Sequence, residues 1–211
     1  VPFAAGYSLA VPILYCFGLC PELLVSGFFW QPVTYLFLHQ NGAHLLLNTL
    51  AILLLGAGVE REIGTRRFLR LFLAGGIVGG LTWACFDLTT VRLASGTWAA
   101  PGWLHALAID AAASRPNSGM AGHSVCIGAS GGVFALLGAC AALFPRRRVY
   151  LFFVWPVRAR RLAVSLAILT ALFLVCQVGN VAHLTHLAGG LAGYGYGRYL
   201  AAGGLGDEPG S

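Results

Sequence analysis

The chain has 211 residues, of which 58% are hydrophobic and only 9% are charged, whereas soluble proteins carry roughly 25% charged residues. A soluble domain of this length could not bury so much apolar surface, so the composition excludes an ordinary water-soluble protein and favours one helical membrane domain. The net charge is +6, and all 13 basic residues are arginines. Because the arginines flank apolar runs, they favour membrane orientation over nucleic-acid binding.

The first apolar run, residues 3–20, is predicted to be the first of six membrane-spanning helices, since about 20 apolar residues cross a bilayer. It lacks the basic start and the cleavage site of a signal peptide, so we expect a spanning helix in a chain that is a fragment or was trimmed to Val1. Six cysteines occur along the chain. No His or acidic cluster accompanies any of them, so we interpret them as packing residues and expect no metal site.

The next segment, residues 21–41, is aromatic, contains two prolines and carries little charge, so it is predicted to lie in the membrane interface. Helix two follows at 42–59. It carries His44 and Asn48, whose four-residue spacing places both side chains on one face. Both can donate hydrogen bonds, as an oxyanion hole requires. The same pair could instead form hydrogen bonds between helices.

Helix three is predicted at 68–86, and a long loop at 87–124 connects it to helix four. Loops of this length are usually functional or loosely ordered. Two tryptophans in it, Trp98 and Trp103, are candidate interfacial anchors. Three roles stay open for this loop: guiding a substrate, covering the site, or none beyond a tolerated insertion.

Helix four is predicted at 126–144 and opens on Gly128-Ala-Ser130-Gly131-Gly. Glycines on both sides of Ser130 let other backbone approach its hydroxyl. Free N–H groups at the start of a helix can bind an anion. Such groups could stabilise the oxyanion that forms in acyl transfer. Taken alone, such small residues more often indicate helix packing in membranes.

Helix six, predicted at 181–201, carries His186, Gly189 and Gly193 on one face. A stripe of glycines lets a neighbouring helix come very close, so His186 is expected at a tight helix contact. His183, one turn nearer the outer surface, is the alternative candidate for the same role.

The arginines also predict an orientation. Four lie between helices two and three, six lie before helix five at 162–178, and one lies near the end of helix six, so 11 of 13 fall on one side. By the positive-inside rule, both termini of the six-helix unit are then cytoplasmic. The starts of helices two, four and six face the outer side, and residues 203–211 form a disordered tail.

Ser130, His186 and the pair His44 and Asn48 are therefore predicted at one depth near the outer membrane face. A hydroxyl, an imidazole and two hydrogen-bond donors are the groups that acyl transfer needs. No Asp or Glu lies within the predicted spans, since Asp87 falls in the long loop. We therefore predict a Ser–His pair that works without an acid.

Five segments occur in a fixed order along the chain. They are Trp30-Gln31-Pro-Val-Thr-Tyr-Leu-Phe-Leu-His39, His44-Leu-Leu-Leu-Asn48, Val59-Glu60-Arg61-Glu62-Ile-Gly64, Gly128-Ala-Ser130-Gly131 and His186-x-x-Gly189-x-x-x-Gly193. Together they resemble the rhomboid family, whose first-loop, H-x-x-x-N, post-helix-two, G-x-S-G and H-x-x-G-x-x-x-G motifs they match. Two positions depart from the family pattern: Gln31 stands where Arg is common, and the Arg of Glu-x-Arg is shifted to Arg61.

The resemblance implies an all-α polytopic membrane protein, a bundle of six transmembrane helices that hydrolyses peptide bonds within the membrane without a metal or organic cofactor. It implies Ser130 as nucleophile, His186 as base, and an oxyanion held by the Ser130 N–H, His44 and Asn48. The supporting positions it implies are Gly128, Gly131, Phe134, Gly189 and Gly193, with Phe134 as an aromatic against the base. The implied partners are transmembrane protein substrates and the lipid bilayer, not nucleic acid. We expect a multi-pass protein of the bacterial inner membrane, of open oligomeric state.

Two other functions stay open. A non-catalytic relative that binds and escorts membrane proteins would usually lack the Ser or His, and both are present. A transporter or channel would be favoured by broken helices and repeated halves, and the sequence shows neither. We expect an intramembrane serine endopeptidase that cuts single-span substrates with helix-breaking residues near their outer end.

Overall fold

The computed structural model describes residues 10–97, 124–151, 154–176 and 183–204. This part of the chain is mostly helical and contains one β-hairpin. The helices are α1 Ala10–Phe17, α2 Pro21–Val25, α3 Gln31–Thr34, α4 Gly42–Ala51, α5 Ala57–Ile63, α6 Thr65–Ala94, α7 Ser130–Leu143, α8 Ala159–Val175 and α9 His183–Tyr199. The strands are β1 Arg148–Leu151 and β2 Trp155–Arg158, and shorter turns are a 3₁₀ turn at Tyr35–Phe37 and π turns at Ile52–Gly56 and Leu200–Gly204.

A π turn joins α4 and α5 into one helix, Gly42–Ile63. The helix begins at Asn41, whose side-chain oxygen accepts a hydrogen bond of 2.9 Å from the His44 N–H and so satisfies a donor that the helix leaves free. This helix and α6 are the two in the described part of the chain that are both long and apolar enough to cross a membrane. The arrangement of six spans therefore stays a prediction.

Helix α6 is longer than predicted. It runs to Ala94, beyond the predicted end at Phe86, so residues 87–94 are helical and the prediction that they belong to the long loop is wrong. No glycine or proline follows Phe86 until Gly96, whose positive φ of 69° ends the helix. Asp87 accordingly lies on a helix and is buried, and the rest of the predicted loop from residue 98 to 123 lies outside the described residues.

Helix α7 lies in the centre of the molecule, between α6 and α9. Nearly all of its residues from Gly131 to Ala141 are buried, although its sequence holds mainly Gly, Ala and Leu. Small residues on the facing helices make this possible, because they let backbones approach closely. A methyl group at Gly132 would come within 2.7 Å of the Phe72 ring on α6, and one at Gly138 would overlap the Gly190 carbonyl on α9.

The prediction of an exclusively helical chain missed a β-hairpin between α7 and α8. Strands β1 and β2 pair antiparallel, with Arg148 opposite Arg158 and Leu151 opposite Trp155. The run of β-branched and aromatic residues there favours strand over helix. The hairpin packs onto the helices through Val149, which is buried in the core cluster that also contains residues of α5 and α7.

The surface of the molecule is rich in large apolar side chains. Val175, Leu191, Leu46 and Ile168 are all more than 60% exposed. Soluble monomers rarely show such extended apolar surface. With small residues inside and leucines outside, the molecule suits a hydrocarbon solvent.

Candidate active site

Ser130 is the first residue of α7, and Gly128 shapes the turn that leads into it. The φ angle of Gly128 is 121°, a left-handed conformation that glycine adopts at low cost. Its N–H donates a 2.9 Å hydrogen bond to the Tyr35 carbonyl. The N-cap residue, Ala129, has no capping side chain, so the first N–H groups of α7 lack the partner that a Ser or Asp cap would give.

The structure brings His186 of α9 against Ser130 of α7. The ring Nε2 lies 2.7 Å from the Ser130 Oγ. When the hydroxyl donates this bond, Nε2 accepts it and the ring proton lies on Nδ1. In that tautomer the imidazole can take up the hydroxyl proton, as a general base must.

His183, the alternative base in the sequence, lies one turn earlier on α9. Its ring centroid is 6.4 Å from that of His186 and 5.7 Å from that of Phe173 on α8, in edge-to-face contacts. His183 is buried among these rings. The geometry therefore favours His186 as the residue that acts on Ser130.

Phe134 lies on the same face of α7 as Ser130, one turn later. Its ring is parallel to the His186 imidazole, with 4.4 Å between the centroids. A stacked ring restricts rotation of the imidazole about its side-chain bonds. This contact can orient the base where a triad would use a carboxylate.

Glycines set the depth at which His186 meets α7. A methyl group at Gly189 would overlap the Gly131 carbonyl oxygen, and one at Gly193 would overlap the Ala135 carbonyl oxygen. The backbones of α7 and α9 are therefore in direct contact at the residues that follow Ser130 and His186. Of the predicted supporting glycines, Gly131 and Gly189 meet each other directly, whereas Gly193 meets Ala135.

His44 and Asn48 of α4 face the turn before Ser130. A methyl group at Gly128 would come within 2.8 Å of His44 Cε1 and within 3.9 Å of Asn48 Nδ2. Asn48 is buried, and its Nδ2 has no hydrogen-bond partner within the described part of the chain. A buried amide donor beside the free N–H groups of α7 is the arrangement that an oxyanion would complete.

Two residues that the sequence did not single out hold this site together. The fully buried Tyr35 donates a 2.6 Å hydrogen bond from its hydroxyl to the Gly76 carbonyl of α6 and accepts the Gly128 N–H at its own carbonyl. Its burial raises the pKa of the phenol. His39 packs edge-to-face on His44, with 5.1 Å between the ring centroids. Both lie in the first-loop segment, but no sequence signal shows which residues they contact.

Together these groups can carry out acyl transfer. A hydroxyl is hydrogen-bonded to an imidazole, the imidazole is stacked on an aromatic ring, and the donors of α4 lie beside the turn that leads into Ser130. These are the nucleophile, base, orienting group and oxyanion donors of the reaction. Within the described part of the chain, the side-chain partners of Ser130 and His186 are each other, Phe134 and His183, and none of them is a carboxylate.

A family model of the Rhomboid domain matches residues 26–203 of the chain. This chain belongs to the rhomboid family. The rhomboid chain accordingly has a helical polytopic membrane fold and is an integral membrane protein that resides in a lipid bilayer.

Several curated rhomboid relatives match parts of the chain. "Rhomboid protease GluP" of Bacillus subtilis is 37% identical over 52% of the chain and 22% of its own length. "Rhomboid protein 1, mitochondrial" of Saccharomyces cerevisiae is 28% identical over 78% of the chain and 40% of its own length. "Rhomboid protease AarA" of Providencia stuartii is 31% identical over 34% of the chain and 27% of its own length. The rhomboid chain thus spans less than half the length of these relatives.

The rhomboid chain departs from the family pattern at Gln31, and the structure gives this residue a clear role. Gln31 is fully buried. Its side-chain amide nitrogen, Nε2, donates a 2.8 Å hydrogen bond to the Tyr15 carbonyl. Its side-chain oxygen, Oε1, accepts a hydrogen bond of 3.1 Å from the Cys20 N–H. Trp30 and Thr34 add bonds to the Cys16 and Phe17 carbonyls. The first-loop segment is therefore tied to the end of α1 without an arginine.

Proposed function

We propose that this rhomboid chain is an intramembrane serine endopeptidase that cleaves transmembrane segments of membrane proteins near the outer membrane face. The observation that carries the proposal is the 2.7 Å contact between Ser130 Oγ and His186 Nε2 at the N-terminus of α7. The names of two relatives, which are called rhomboid proteases, also support it.

In the first half of the reaction, Ser130 Oγ attacks the scissile carbonyl carbon while His186 Nε2 takes the hydroxyl proton. The carbonyl oxygen becomes an oxyanion, which accepts hydrogen bonds from the Ser130 N–H, His44 and Asn48. The peptide C–N bond then breaks, and His186 returns its proton to the leaving amine. An ester between Ser130 and the new carboxyl end of the substrate remains.

In the second half, a water molecule attacks the ester while His186 removes one of its protons. A second oxyanion forms in the same place and collapses, with the proton returning to Ser130 Oγ. Phe134 keeps the imidazole in the plane that both halves require, since its ring is stacked 4.4 Å from that of His186. No acid is needed to hold the ring.

The position of Ser130 also limits the substrate. A continuous helix hides its carbonyl groups in hydrogen bonds, so a transmembrane segment must unwind locally before Ser130 can attack. We therefore propose single-span substrates with small or helix-breaking residues near their outer end. A stable poly-Leu span is expected to resist cleavage.

The test combines a probe and two substrates. Purified wild type is expected to react with a fluorophosphonate probe and to cut a single-span substrate with a Gly-Pro step near its outer end, but to spare a poly-Leu span of equal length. Ser130→Ala removes the attacking oxygen and should abolish both labelling and cleavage. The control, Ser95→Ala, changes an exposed serine at the end of α6 and should match wild type.

The other outcomes separate the alternatives. Equal labelling of wild type and Ser130→Ala would overturn the proposal. Wild type that neither labels nor cleaves, but binds the substrate span, would indicate a non-catalytic relative. Equal cleavage of the poly-Leu span would refute the unwinding requirement alone. Solute flux through liposomes, unchanged in Ser130→Ala, would indicate a transporter or channel.

A further inference from the structure

The segment that links α7 to α8 concentrates positive charge. Residues 144–165 contain six of the 13 arginines and no Asp or Glu. All six side chains are exposed. The segment begins after the last residue of α7, about 21 Å from Ser130 along the 14-residue helix. This arginine cluster is therefore separate from the candidate active site and serves no step of its chemistry. Its members are Arg146, Arg147, Arg148, Arg158, Arg160 and Arg161.

Several of these arginines are placed against local electrostatic rules. Arg148 and Arg158 are directly opposite in the antiparallel ladder, where like charges destabilise a hairpin. Arg160 and Arg161 lie in the first turn of α8, whose N-terminus carries partial positive charge and no acidic residue. A bound anion would relieve both repulsions together. Local rules are broken most often at functional sites.

Five of the six arginines, all except Arg148, line an open cleft of about 960 Å³ between the end of α7, strand β2 and the start of α8. Its lining combines guanidinium groups with apolar side chains such as Phe144 and Val164. One arginine, Arg147, is held in place, because its guanidinium lies 5.2 Å from the centre of the Phe144 ring. The cleft is large enough for a phosphate with attached groups. A guanidinium group can bind a phosphate through two parallel N–H···O hydrogen bonds.

Near its turn, the hairpin carries exposed apolar and aromatic side chains among the described residues. Val154 is 80% exposed, Trp155 74% and Tyr150 50%. Tyr and Trp beside basic residues are typical of the boundary between lipid headgroups and acyl chains. A hairpin that carries exposed aromatic residues toward its turn and a cleft arginine, Arg158, at its base therefore matches a molecule with a phosphate at one end and hydrocarbon at the other.

We propose that this cleft is a binding site for the headgroup of an anionic phospholipid. The phosphate lies among the arginines and the first N–H groups of α8, while the acyl chains run along the exposed apolar residues of the helices. Basic pockets between membrane helices bind such headgroups in general. The lipid offsets the charge of Arg158, which weakens its repulsion from Arg148, and fixes the position of the hairpin relative to α7 and α8.

The test is a titration of the purified full chain with palmitoyl-oleoyl phosphatidylglycerol, followed by native mass spectrometry. The double variant Arg158→Gln/Arg161→Gln, which changes two cleft residues, is expected to bind this lipid about thirtyfold more weakly, from the usual contribution of each arginine near a lipid surface. The control, Arg61→Gln/Arg66→Gln, removes two exposed charges outside the cleft and should stay within about threefold of wild type. Phosphatidylcholine, which has no net charge, should bind weakly to all three proteins.

Further arms keep the result interpretable. The variant Arg158→Lys/Arg161→Lys keeps the charge but loses the paired guanidinium donors, so it should bind the lipid more tightly than the glutamine variant and more weakly than wild type. A glutamine variant that unfolds at the same temperature as wild type in lipid-free detergent shows that its weaker binding is not a loss of folding. Equal weakening in the cleft and control variants would overturn the proposal, because it would indicate diffuse attraction to the basic face. Displacement of the lipid by millimolar glycerol phosphate would also overturn it, and would assign the cleft to soluble phosphate esters.

Discussion

At the scale of single residues, Gly128 connects the nucleophile to the oxyanion donors. Its left-handed φ of 121° turns the chain so that Ser130 begins α7, and its missing side chain leaves the space that the His44 ring occupies. Tyr35 holds the same turn from behind through a hydrogen bond to the Gly128 N–H. Glycine thus meets two requirements at position 128, the left-handed backbone and the space for the His44 ring, which no residue with a side chain could meet together.

Replacing Gly128 by alanine is therefore expected to damage the site. The left-handed conformation costs an L-residue about 1–2 kcal/mol, and the new methyl would lie 2.8 Å from His44 Cε1 and push the ring away. We expect cleavage to fall about a hundredfold, the usual effect of a misplacement near 1 Å. Initial rates on the single-span substrate measure this loss.

The matched control is Gly42→Ala at the start of α4. A methyl group there meets no atom within 4 Å, and the φ angle of Gly42 is not left-handed. Its cleavage rate should stay within about twofold of wild type, since substitutions away from special positions have small effects. Near-normal rates in Gly128→Ala would show that the His44 position does not matter for the reaction.

Much of the candidate site could be predicted from the sequence, since Ser130, His186, His44 and Asn48 lie in motifs with fixed spacing. The structure brings Ser130 and His186 to 2.7 Å and places the donors of α4 beside the same turn. The sequence could not reveal that Tyr35 bonds to Gly76, 41 residues away, or that Gln31 caps the end of α1. Such contacts depend on how helices pack, which spacing along one helix does not encode.

At the scale of helices, the contact between α7 and α9 positions the base. Lipid is as apolar as leucine, so association of membrane helices depends on close packing rather than on the hydrophobic effect. Here the packing is backbone on backbone, with Gly193 against the Ala135 carbonyl and Gly189 against the Gly131 carbonyl. The distance between Ser130 and His186 follows from this approach.

Widening that contact should destabilise the protein and separate the two residues. Gly193→Ala adds a methyl group that would overlap the Ala135 carbonyl oxygen, so α9 must move away from α7. Overpacking of this kind typically costs about 1–3 kcal/mol. We expect a lower midpoint of thermal unfolding in detergent and slower cleavage by the folded protein.

Gly195→Ala is the control, two residues further along the same helix. It adds the same methyl group where no atom lies within 4 Å. In an exposed helix position this exchange is neutral or stabilises by about 0.5–1 kcal/mol. If both variants unfold at the same temperature, close approach of α7 and α9 is not what holds the bundle together.

The positions of the long helices were predictable because apolar runs mark them, and the ends were not. Helix α6 continues past Phe86 to Ala94, since hydropathy falls at Asp87 but no glycine or proline stops the helix before Gly96. Helix α7 starts at Ser130 rather than at 126, because Gly128 adopts a conformation that a helix excludes. The β-hairpin was missed because its apolar strands are short and lie between arginines.

At the scale of the whole molecule, the two ends of α7 differ in chemistry. One end holds the uncapped N–H groups, Ser130 and two pairs of neighbouring histidines, and the other end leads into the arginine cluster. A charged arginine within the hydrocarbon costs about 2.5–3.5 kcal/mol even by insertion measurements. The uneven placement of the arginines therefore predicts one orientation across the membrane.

This asymmetry predicts that the arginine cluster stays in the cytoplasm while the start of α7 faces the outer side of a bacterial inner membrane. Alkaline phosphatase fused after Gly96, at the end of α6, should be active, because the enzyme folds only outside the cytoplasm. The same enzyme fused after Arg148 should be inactive, since 11 of the 13 arginines lie on that side. Green fluorescent protein, which fluoresces when it stays inside, is the reciprocal control at both positions.

The opposite pattern would place Ser130 toward the cytoplasm and would require substrates cut at their inner ends. Equal activity at both positions would mean that the arginines do not fix one orientation, because then both faces of the molecule would reach the outside.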